Sequence, residues 1–232
     1  MRVDLPPTEA SHARVLRLRA GVEVELFDGR GRAWRAVLDP GLRSATLKEE
    51  VSAHASGEAP GPALVLATAW PKGKRAAFLV EKCTELGVSR IVPVNFERSV
   101  VLKQAGSQGL ARLQRIAAEA AKQAARTTVP EIEAPVRFEH LLQRESPRAL
   151  LLLLDPRAET PLIESLTDAA PLIRGQARPV ILIVGPEGGF TDDELACADE
   201  HAVRRVRLGR HVLRVETAAV AACAVCAACL QT

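Results

Sequence analysis

Apolar runs alternate with helical patterns along most of this chain, and this alternation restricts the fold more than any other feature. We interpret five short apolar runs as buried strands, at 63–69, 90–94, 149–154, 180–184 and 203–208. The segments between and after them predict helices, at 73–86, 109–126, 160–169, 191–201 and 216–230. Strands that alternate with helices form a parallel sheet covered on both faces, so the sequence predicts an α/β fold.

The first part of the chain follows a different pattern. Val22, Val24 and Leu26 alternate with charged residues, which is the two-residue period of a half-buried strand. The DGRG stretch at 28–31 predicts a hairpin turn between this strand and the next. We therefore expect β structure throughout 12–58.

A change of composition separates these two parts. The stretch at 56–62 is rich in glycine and proline and is typical of a linker. We predict a small β-barrel domain at 1–60 and a larger domain at 61–232. The full length of 232 residues suits one or two domains with a complete core.

A glycine-rich turn follows one of the buried strands. Val180–Val184 runs directly into GPEGG at 185–189, where glycines allow a close approach of the backbone to a ligand. Thr191 and Glu194 then form a capping-box pattern, which predicts that a helix begins just beyond the turn.

A second turn of the same design lies close by in the sequence. A strand leads to Leu208 and Gly209, and Glu216–Thr217 opens the last predicted helix. Ligand sites of α/β proteins gather at the carboxyl ends of the strands. Two such loops therefore predict one composite ligand pocket.

The first turn excludes two common kinds of ligand site. It has neither the Lys-Ser/Thr ending of a P-loop nor the spacing of a dinucleotide-binding fingerprint. Pro186 removes an amide donor, and Glu187 would repel a pyrophosphate. The turn therefore suits a ligand that is not strongly anionic, such as S-adenosylmethionine, which carries a sulfonium. The alternative is a tight turn that serves only to close the fold.

Charge and aromatic content restrict the kinds of partner. The net charge is only +3, but basic residues cluster near 14–19, 30–35 and 72–75. Each cluster could neutralise phosphates of a nucleic acid, and each could also be a solvated charged face. Aromatic residues make up only 3% of the chain, which argues against a surface that stacks several unpaired bases.

Five cysteines form an odd number without a paired pattern, and no signal peptide precedes them, so we expect a reducing cytoplasm. Cys223, Cys226 and Cys229 have a spacing that suggests a metal site. They lie in a run of small apolar residues, however, which favours helix packing, and we expect no metal. The same run is too short to span a membrane.

Three long motifs match one family. GPEGGFTDDE at 185–194, LGRHVLRVETAAV at 208–220 and KGKRAAFLVEKCTELGV at 72–88 resemble those of the RsmE-type methyltransferases, which belong to the SPOUT class. The resemblance continues through 12–31 and 120–130 and so covers nearly the whole chain.

The resemblance implies a fold and an activity. The implied fold is a SPOUT-type parallel sheet with a trefoil knot that binds S-adenosylmethionine, preceded by a PUA-like β-barrel. The implied activity is methylation of N3 of a uridine in small-subunit (16S) ribosomal RNA, by a cytoplasmic homodimer. A ribose 2′-O methyltransferase and a non-catalytic RNA-binding assembly factor are the alternatives.

The chain departs from this family in two places. Family members usually begin with a basic-aromatic strand, whereas this chain begins with Met-Arg-Val-Asp, so its first strand is expected to be short or missing. Lys122 stands where family members often have a carboxylate, which argues against an acid acting at that position.

Two residues are candidates for catalysis, Arg214 and Glu216. Arg214 would stabilise the charge that develops on the uracil oxygens. Glu216 could orient Arg214, face the sulfonium, or stabilise the start of a helix. The predicted cofactor-binding residues are Leu154, Val184, Gly185, Pro186, Glu187, Gly188, Gly189, Leu208, Gly209, Leu213, Arg214, Thr217 and Ala218. For Glu187 a structural role, accepting amide hydrogen bonds across the turn, is also open, and we interpret His211 as a neutral loop residue.

Basic residues are the candidates for binding ribosomal RNA or the small subunit. Phosphate contacts position a nucleic acid without reading its sequence. For Arg98 and Arg126 a structural role is equally plausible, since Arg126 is expected to end a helix. The predicted RNA-binding residues are Arg14, Arg17, Arg19, Arg30, Lys72, Lys74, Arg98 and Arg126.

Overall fold

The computed structural model describes residues 1–51, 61–99 and 107–230. The predicted β structure beyond residue 51 and most of the predicted linker lie outside the described residues. The chain divides into two compact units, Met1–Ala59 with Ala125–Val129, and Pro60–Ala124 with Pro130–Thr232. The first unit therefore includes a short segment that the predicted boundary at residue 60 assigned to the second domain.

The first unit contains one antiparallel sheet. Its strands are β1 (Arg2–Asp4), β2 (Glu23–Phe27), β3 (Ala33–Leu38) and β4 (Ser44–Val51), in the order β1-β4-β3-β2. The first strand is present but short, as the departure from the family pattern led us to expect. Alternate residues of these strands face a core built around Ala36, Leu38 and Ala45.

A helix precedes β2 where the sequence predicted β structure. Helix α1 spans Pro7–Val15, so the prediction that β structure begins at residue 12 was wrong. Proline near the first position suits a helix start, and Ala10 and Ala13, three residues apart, are buried. Small buried side chains let the helix lie close to its neighbours, and Ala13 belongs to the core of the sheet.

The hairpin between β2 and β3 forms at the predicted residues. Asp28 accepts hydrogen bonds at Oδ1 from the backbone N–H groups of Arg30 (2.7 Å) and Arg32 (3.1 Å), which closes the turn. Val129 donates its backbone N–H to the carbonyl of Gly29 at 3.0 Å. This contact explains why 125–129 belong to the first unit.

The second unit contains a seven-stranded sheet whose strand pairs are all parallel, as predicted. The sheet has the order β11-β9-β10-β5-β6-β7, and β8 pairs with β6. The five predicted strands are confirmed within two residues at each end. The strands are β5 (Leu64–Thr68), β6 (Val88–Asn95), β7 (Glu131–Ile132), β8 (Val136–Arg137), β9 (Leu150–Leu154), β10 (Val180–Val184) and β11 (Arg204–Val206).

Six helices of this unit are described, and five of them were predicted. They are α2 (Lys74–Glu85), α3 (Ser107–Gln123), α4 (Phe138–Glu145), α5 (Leu162–Gln176), α6 (Asp192–Glu200) and α7 (Val215–Leu230). The unpredicted one is α4, and α5 continues past its predicted end through Pro171. In the part of the chain that the structure describes, no helix is long and apolar enough to cross a bilayer.

The small side chains of α7 pack it tightly into this unit. It contacts α2, α5 and strands β5 and β10. A hydrogen bond with Cys83 of α2, together with burial, raises the pKa of the Cys223 thiol. Burial also raises the pKa of Cys226 to about 12. Both thiols are therefore neutral packing groups at neutral pH, since a thiol must ionise to act as a nucleophile or metal ligand.

Candidate functional site

A cavity of about 380 Å³ opens at the carboxyl ends of β9, β10 and β11. The glycine turn after β10 and the loop after β11 both line it, together with the first turns of α7. The two loops thus converge as the sequence predicted. This volume is that of a small-molecule site, and its position is the usual one for ligands of parallel sheets.

Most of the predicted cofactor residues line this cavity. They are Leu154, Val184, Gly185, Pro186, Glu187, Gly188, Gly189, Leu208, Gly209, Leu213 and Ala218. Arg214 and Thr217 are exposed and are not part of its lining. Lining residues that we did not predict for the cofactor are Arg98, Asp155, Pro156, Arg157, Phe190, His211, Val212 and Val215. The sequence does contain a signal for Asp155–Arg157, because these residues directly follow the predicted strand that ends at Leu154, and ligand sites gather at strand ends.

The glycine at 185 is required by packing within the protein. A Cβ at this position would lie 2.5 Å from the ring of Phe190. That ring packs against Phe96, with centroids 5.5 Å apart, and near Phe138. Phe190 therefore accounts for the lack of a side chain at Gly185, while Gly185 itself lines the cavity.

Arg98 supports the glycine turn from the end of β6. Its Nη1 donates to the carbonyl oxygens of Gly188 (3.1 Å) and Phe190 (3.2 Å). A Cβ on Gly188 would lie 3.3 Å from Cβ of Arg98. Gly189 has a φ of 71°, a backbone conformation that favours glycine. Arg98 thus has a structural role in shaping the cavity wall.

The predicted capping box at the start of α6 is confirmed. Thr191 Oγ1 accepts from the backbone N–H of Glu194, and Glu194 Oε2 accepts from that of Thr191. The other oxygen of Glu194 accepts from the backbone N–H of Glu97 at 2.9 Å. One buried carboxylate therefore joins the end of β6 to the start of α6, beside the glycine turn.

A carboxylate–guanidinium pair stands at the end of β9. Asp155, whose side chain is 5% exposed, accepts from Arg157 Nε at 3.1 Å and from Nη2 at 3.2 Å. Burial alone would raise the pKa of Asp155, but hydrogen bonds from the side chain and backbone of Arg157 outweigh it and lower that pKa. The pair is therefore ionised at neutral pH.

A second ionic group joins three segments beside the cavity. Arg75 Nη1 lies 3.0 Å from Oε1 of Glu187, in the glycine turn, and 3.9 Å from Oε2 of Glu216, in α7. Glu216 is 9% exposed, and its Oε2 has no hydrogen-bond partner among the described residues. The ion pair of Glu216 is thus with Arg75 and not with Arg214. The partner of Glu187 is likewise an arginine side chain and not an amide of the turn.

The predicted RNA-binding residues divide into two groups. Those with exposed side chains are Arg14, Arg17, Arg19, Arg30, Lys72, Lys74 and Arg98. Arg126 is only 8% exposed and donates from Nη2 to Thr128 Oγ1 at 2.9 Å. It also lies beyond the end of α3, so it does not end that helix as expected. Burial favours its structural role, since little of its guanidinium can reach a phosphate.

Cys223, Cys226 and Cys229, whose spacing suggested a metal site, lie in α7. Among the described residues, no group of three or more His, Cys, Asp or Glu side chains is placed to hold a metal ion.

Two family models match this chain, one over its first part and one over the rest. A family model described as an RNA methyltransferase domain matches residues 58–227, and one described as an RNA methyltransferase PUA domain matches 5–50. Ribosomal RNA small subunit methyltransferase E of Synechocystis is 35% identical over 94% of this chain and 70% of its own length.

Solved structures resemble the whole chain. The crystal structure of ribosomal RNA small subunit methyltransferase E from Neisseria gonorrhoeae, bound to S-adenosylmethionine, has a TM-score of 0.82 and 32% identity, with 97% of this chain and 90% of that chain covered. A putative methyltransferase from Legionella pneumophila, in complex with the same cofactor, has a TM-score of 0.80 and 27% identity, with 98% and 92% covered. The chain belongs to the ribosomal RNA small subunit methyltransferase E family.

Proposed function

We propose that this protein transfers a methyl group from S-adenosylmethionine to N3 of a uridine in small-subunit ribosomal RNA. The observation that carries the proposal is a cavity formed where the two glycine-bearing loops meet. The family membership supports the cofactor and the RNA substrate, and the sequence resemblance supports the N3 position, a homodimer and a cytoplasmic location.

The cavity fits the cofactor in size and in charge. Its volume of about 380 Å³ suits a nucleoside with a short side chain, and its walls include Leu154, Val184 and Leu213. The wall carries carboxylates, of Glu187 and Asp155, and guanidinium groups, of Arg98 and Arg157, which suits a cofactor that has both cationic and anionic groups. When bound, the cofactor supplies an electrophilic methyl group.

The chain must position the uracil and stabilise its anion. The uracil must lose its N3 proton to solvent so that N3 can accept the methyl group that the bound cofactor would supply. Holding two reactants in line can lower the barrier by about 7–11 kcal/mol at most. We assign Arg214 to the uracil oxygens, since its exposed side chain follows the cavity-lining residues Val212 and Leu213.

Glu216 is the second candidate in this region. It lies two residues after Arg214, in the first turn of α7, where a negative charge is stabilised by the helix dipole. Its buried carboxylate is close to Arg75, which in turn contacts Glu187 of the cavity wall. We therefore propose that Glu216 acts by holding this ionic group in place.

The RNA is expected to bind through exposed cations. We propose that Arg14, Arg17, Arg19 and Arg30 of the first unit, and Lys72, Lys74 and Arg98 of the second, contact phosphates. Each phosphate contact that is lost should weaken binding for all sequences alike and reduce its salt dependence.

Nucleoside analysis tests the reaction. The protein would be incubated with labelled S-adenosylmethionine and small subunits from cells that lack it, and the RNA digested and analysed by mass spectrometry. We expect label in 3-methyluridine. Label in a 2′-O-methylated nucleoside would support a ribose methyltransferase instead. Cofactor binding without any transfer would contradict the proposed reaction. Sedimentation analysis tests the homodimer.

Substitution of Arg214 tests its assigned role. We expect Arg214→Ala to lower turnover by at least about 100-fold, the effect of removing one donor that stabilises a developing charge. Cofactor affinity by calorimetry should stay nearly unchanged, because Arg214 does not line the cavity. Arg210→Ala, which removes an exposed arginine from the same loop, is the matched control. Full turnover in Arg214→Ala would contradict this role.

A further inference from the structure

The arginine at the end of β9 is unusually well placed for a ligand anion. Arg157 lines the cavity, yet its side chain is 65% exposed. Its Nε and one N–H of Nη2 are held by Asp155, which leaves Nη1 and a second N–H of Nη2. Among the described residues, no other acceptor takes these remaining donors.

Asp155, which holds the Arg157 side chain, is itself held in place by hydrogen bonds. The backbone N–H of Asp155 donates to the carbonyl of Val206 in β11 at 2.9 Å, and Ala158 donates to the carbonyl of Asp155 at 3.0 Å. Asp155 Oδ1 also accepts from the backbone N–H of Arg157 at 2.9 Å. Because strand, turn and carboxylate are all fixed, the guanidinium is ordered before any ligand arrives, which lowers the entropy cost of binding.

Other cations of the cavity are less available. Arg98 donates from Nη1 to two carbonyl oxygens of the glycine turn. His211 lines the cavity as well, but an imidazole lacks the planar pair of donors that a guanidinium presents to a carboxylate. Arg75, which lies beside the cavity and outside its lining, is engaged by Glu187 and Glu216. Arg157 therefore combines position in the cavity with free donors.

Building on the proposed function, we infer that Arg157 binds the α-carboxylate of the cofactor's methionine portion, and that Asp155 positions it. The cofactor carries only one anionic group, this carboxylate, at the opposite end from the adenine. A guanidinium presents a planar pair of donors that matches a carboxylate. The pair thus distinguishes S-adenosylmethionine from sulfonium nucleosides that lack the carboxylate.

Two ligands separate the effect of the carboxylate from that of the rest of the cofactor. Decarboxylated S-adenosylmethionine keeps the adenosine, the sulfonium and the amine. We expect calorimetry of the full chain to show that it binds about tenfold more weakly than S-adenosylmethionine, the lower end for a hydrogen bond to a charged group, since Arg157 is exposed. In Arg157→Gln this preference should disappear, with the affinity for the decarboxylated ligand unchanged.

Two further variants test whether the preference for the carboxylate depends on Arg157 in particular. Arg205→Gln removes an exposed arginine of β11 that pairs with Asp199 and lies outside the cavity lining, so it should keep the tenfold preference. Arg157→Lys keeps the charge but not the planar fork, and should reduce the preference severalfold. Arg157→Lys also serves as a second test of the assignment if Arg157→Gln folds poorly. Thermal unfolding would reveal such a folding defect.

Three results would overturn this assignment. They are equal affinity of the unaltered protein for both ligands, a tenfold preference that persists in both Arg157 variants, and a preference that is lost in Arg98→Gln instead. All three are distinguishable from failure of the proposed function, in which neither ligand would bind the unaltered protein or the bound cofactor would not methylate N3 of uridine.

Discussion

Gly185 and Phe190 show how a residue can be required for a reason other than the one its sequence motif suggests. The glycine-rich motif predicts close approach of a ligand, whereas the structure places the Phe190 ring 2.5 Å from the position of a Cβ on Gly185. Glycine spacing indicates that a side chain is not tolerated. It does not show which atoms occupy the space.

Substitution of Gly185 should therefore disturb the core before it disturbs ligand contacts. We expect Gly185→Ala to lower the free energy of unfolding by about 1–3 kcal/mol, because an added methyl forces the Phe190 ring to move. Urea denaturation measures this change. Gly175→Ala, in a helix with open space around its Cβ, is the control and should be neutral or stabilising by up to about 1 kcal/mol. Equal stability of the two variants would contradict the packing role.

Arg75 contacts two carboxylates, those of Glu187 and Glu216, that lie far from it in the sequence. We expect Arg75→Gln to lower the free energy of unfolding by about 1 kcal/mol, since it leaves the buried carboxylate of Glu216 without its cation. The expected loss is small because Arg75 is partly exposed and solvent screens its 3.9 Å ion pair with Glu216. The exposed pair Arg35–Glu49 provides a control, and Arg35→Gln should cost less than about 0.5 kcal/mol.

A double variant tests whether the buried charge is the cause. Adding Glu216→Gln to Arg75→Gln should recover most of the lost stability, because a neutral amide no longer needs a cation. If the two losses simply add, the pair is not coupled and this account of Glu216 is wrong.

At the scale of elements, the sequence predicted long apolar strands well and short elements poorly. Strands β9 and β10 consist wholly of buried apolar residues, so their signal is local and strong. Helix α4 has Phe138, Leu141 and Leu142 at helical spacing, a signal that we did not use. Strands β7 and β8 have two residues each, which is too few for a period to be read.

The capping box of α6 gives an element-scale prediction. Thr191→Ala removes the acceptor of the Glu194 backbone N–H and should lower the free energy of unfolding by about 1 kcal/mol. Thr167→Ala is the matched control, because its hydroxyl bonds to the carbonyl of Ile163 on the exposed face of α5. We expect a change within about 0.5 kcal/mol there. Urea denaturation that gives equal losses would argue against the cap.

At the scale of the whole molecule, alkaline pH should weaken the core around α7. The Cys226 thiol has a pKa of about 12 in the folded chain, against an ordinary value of 9.0. As the pH rises, the Cys226 thiol therefore loses its proton first in the unfolded chain. The free energy of unfolding falls between these two pKa values, and the contribution of Cys226 to stability is kept below about pH 9.

Denaturation at pH 7 and pH 10 checks this sign. Cys226→Ala should make stability less dependent on pH in this range, because one of the two buried thiols with a raised pKa is gone. Val220→Ala, in the same helix, removes apolar contact without a thiol and should leave the pH dependence unchanged. A pH dependence that is the same in Cys226→Ala and in the unaltered chain would contradict the assignment.

The sequence by itself determined five strands of the parallel sheet, most helices of the second unit, the capping box and the family, because each is encoded in neighbouring residues or in a continuous motif. Only the tertiary structure decided that Arg75 meets Glu187, 112 positions away, and that Phe190 fills the space above Gly185. It also buried Arg126 and placed Asp155 and Arg157 in the cavity wall. The physical reason is that burial and ion pairing depend on distances across the fold, and local periodicity carries no information about those distances.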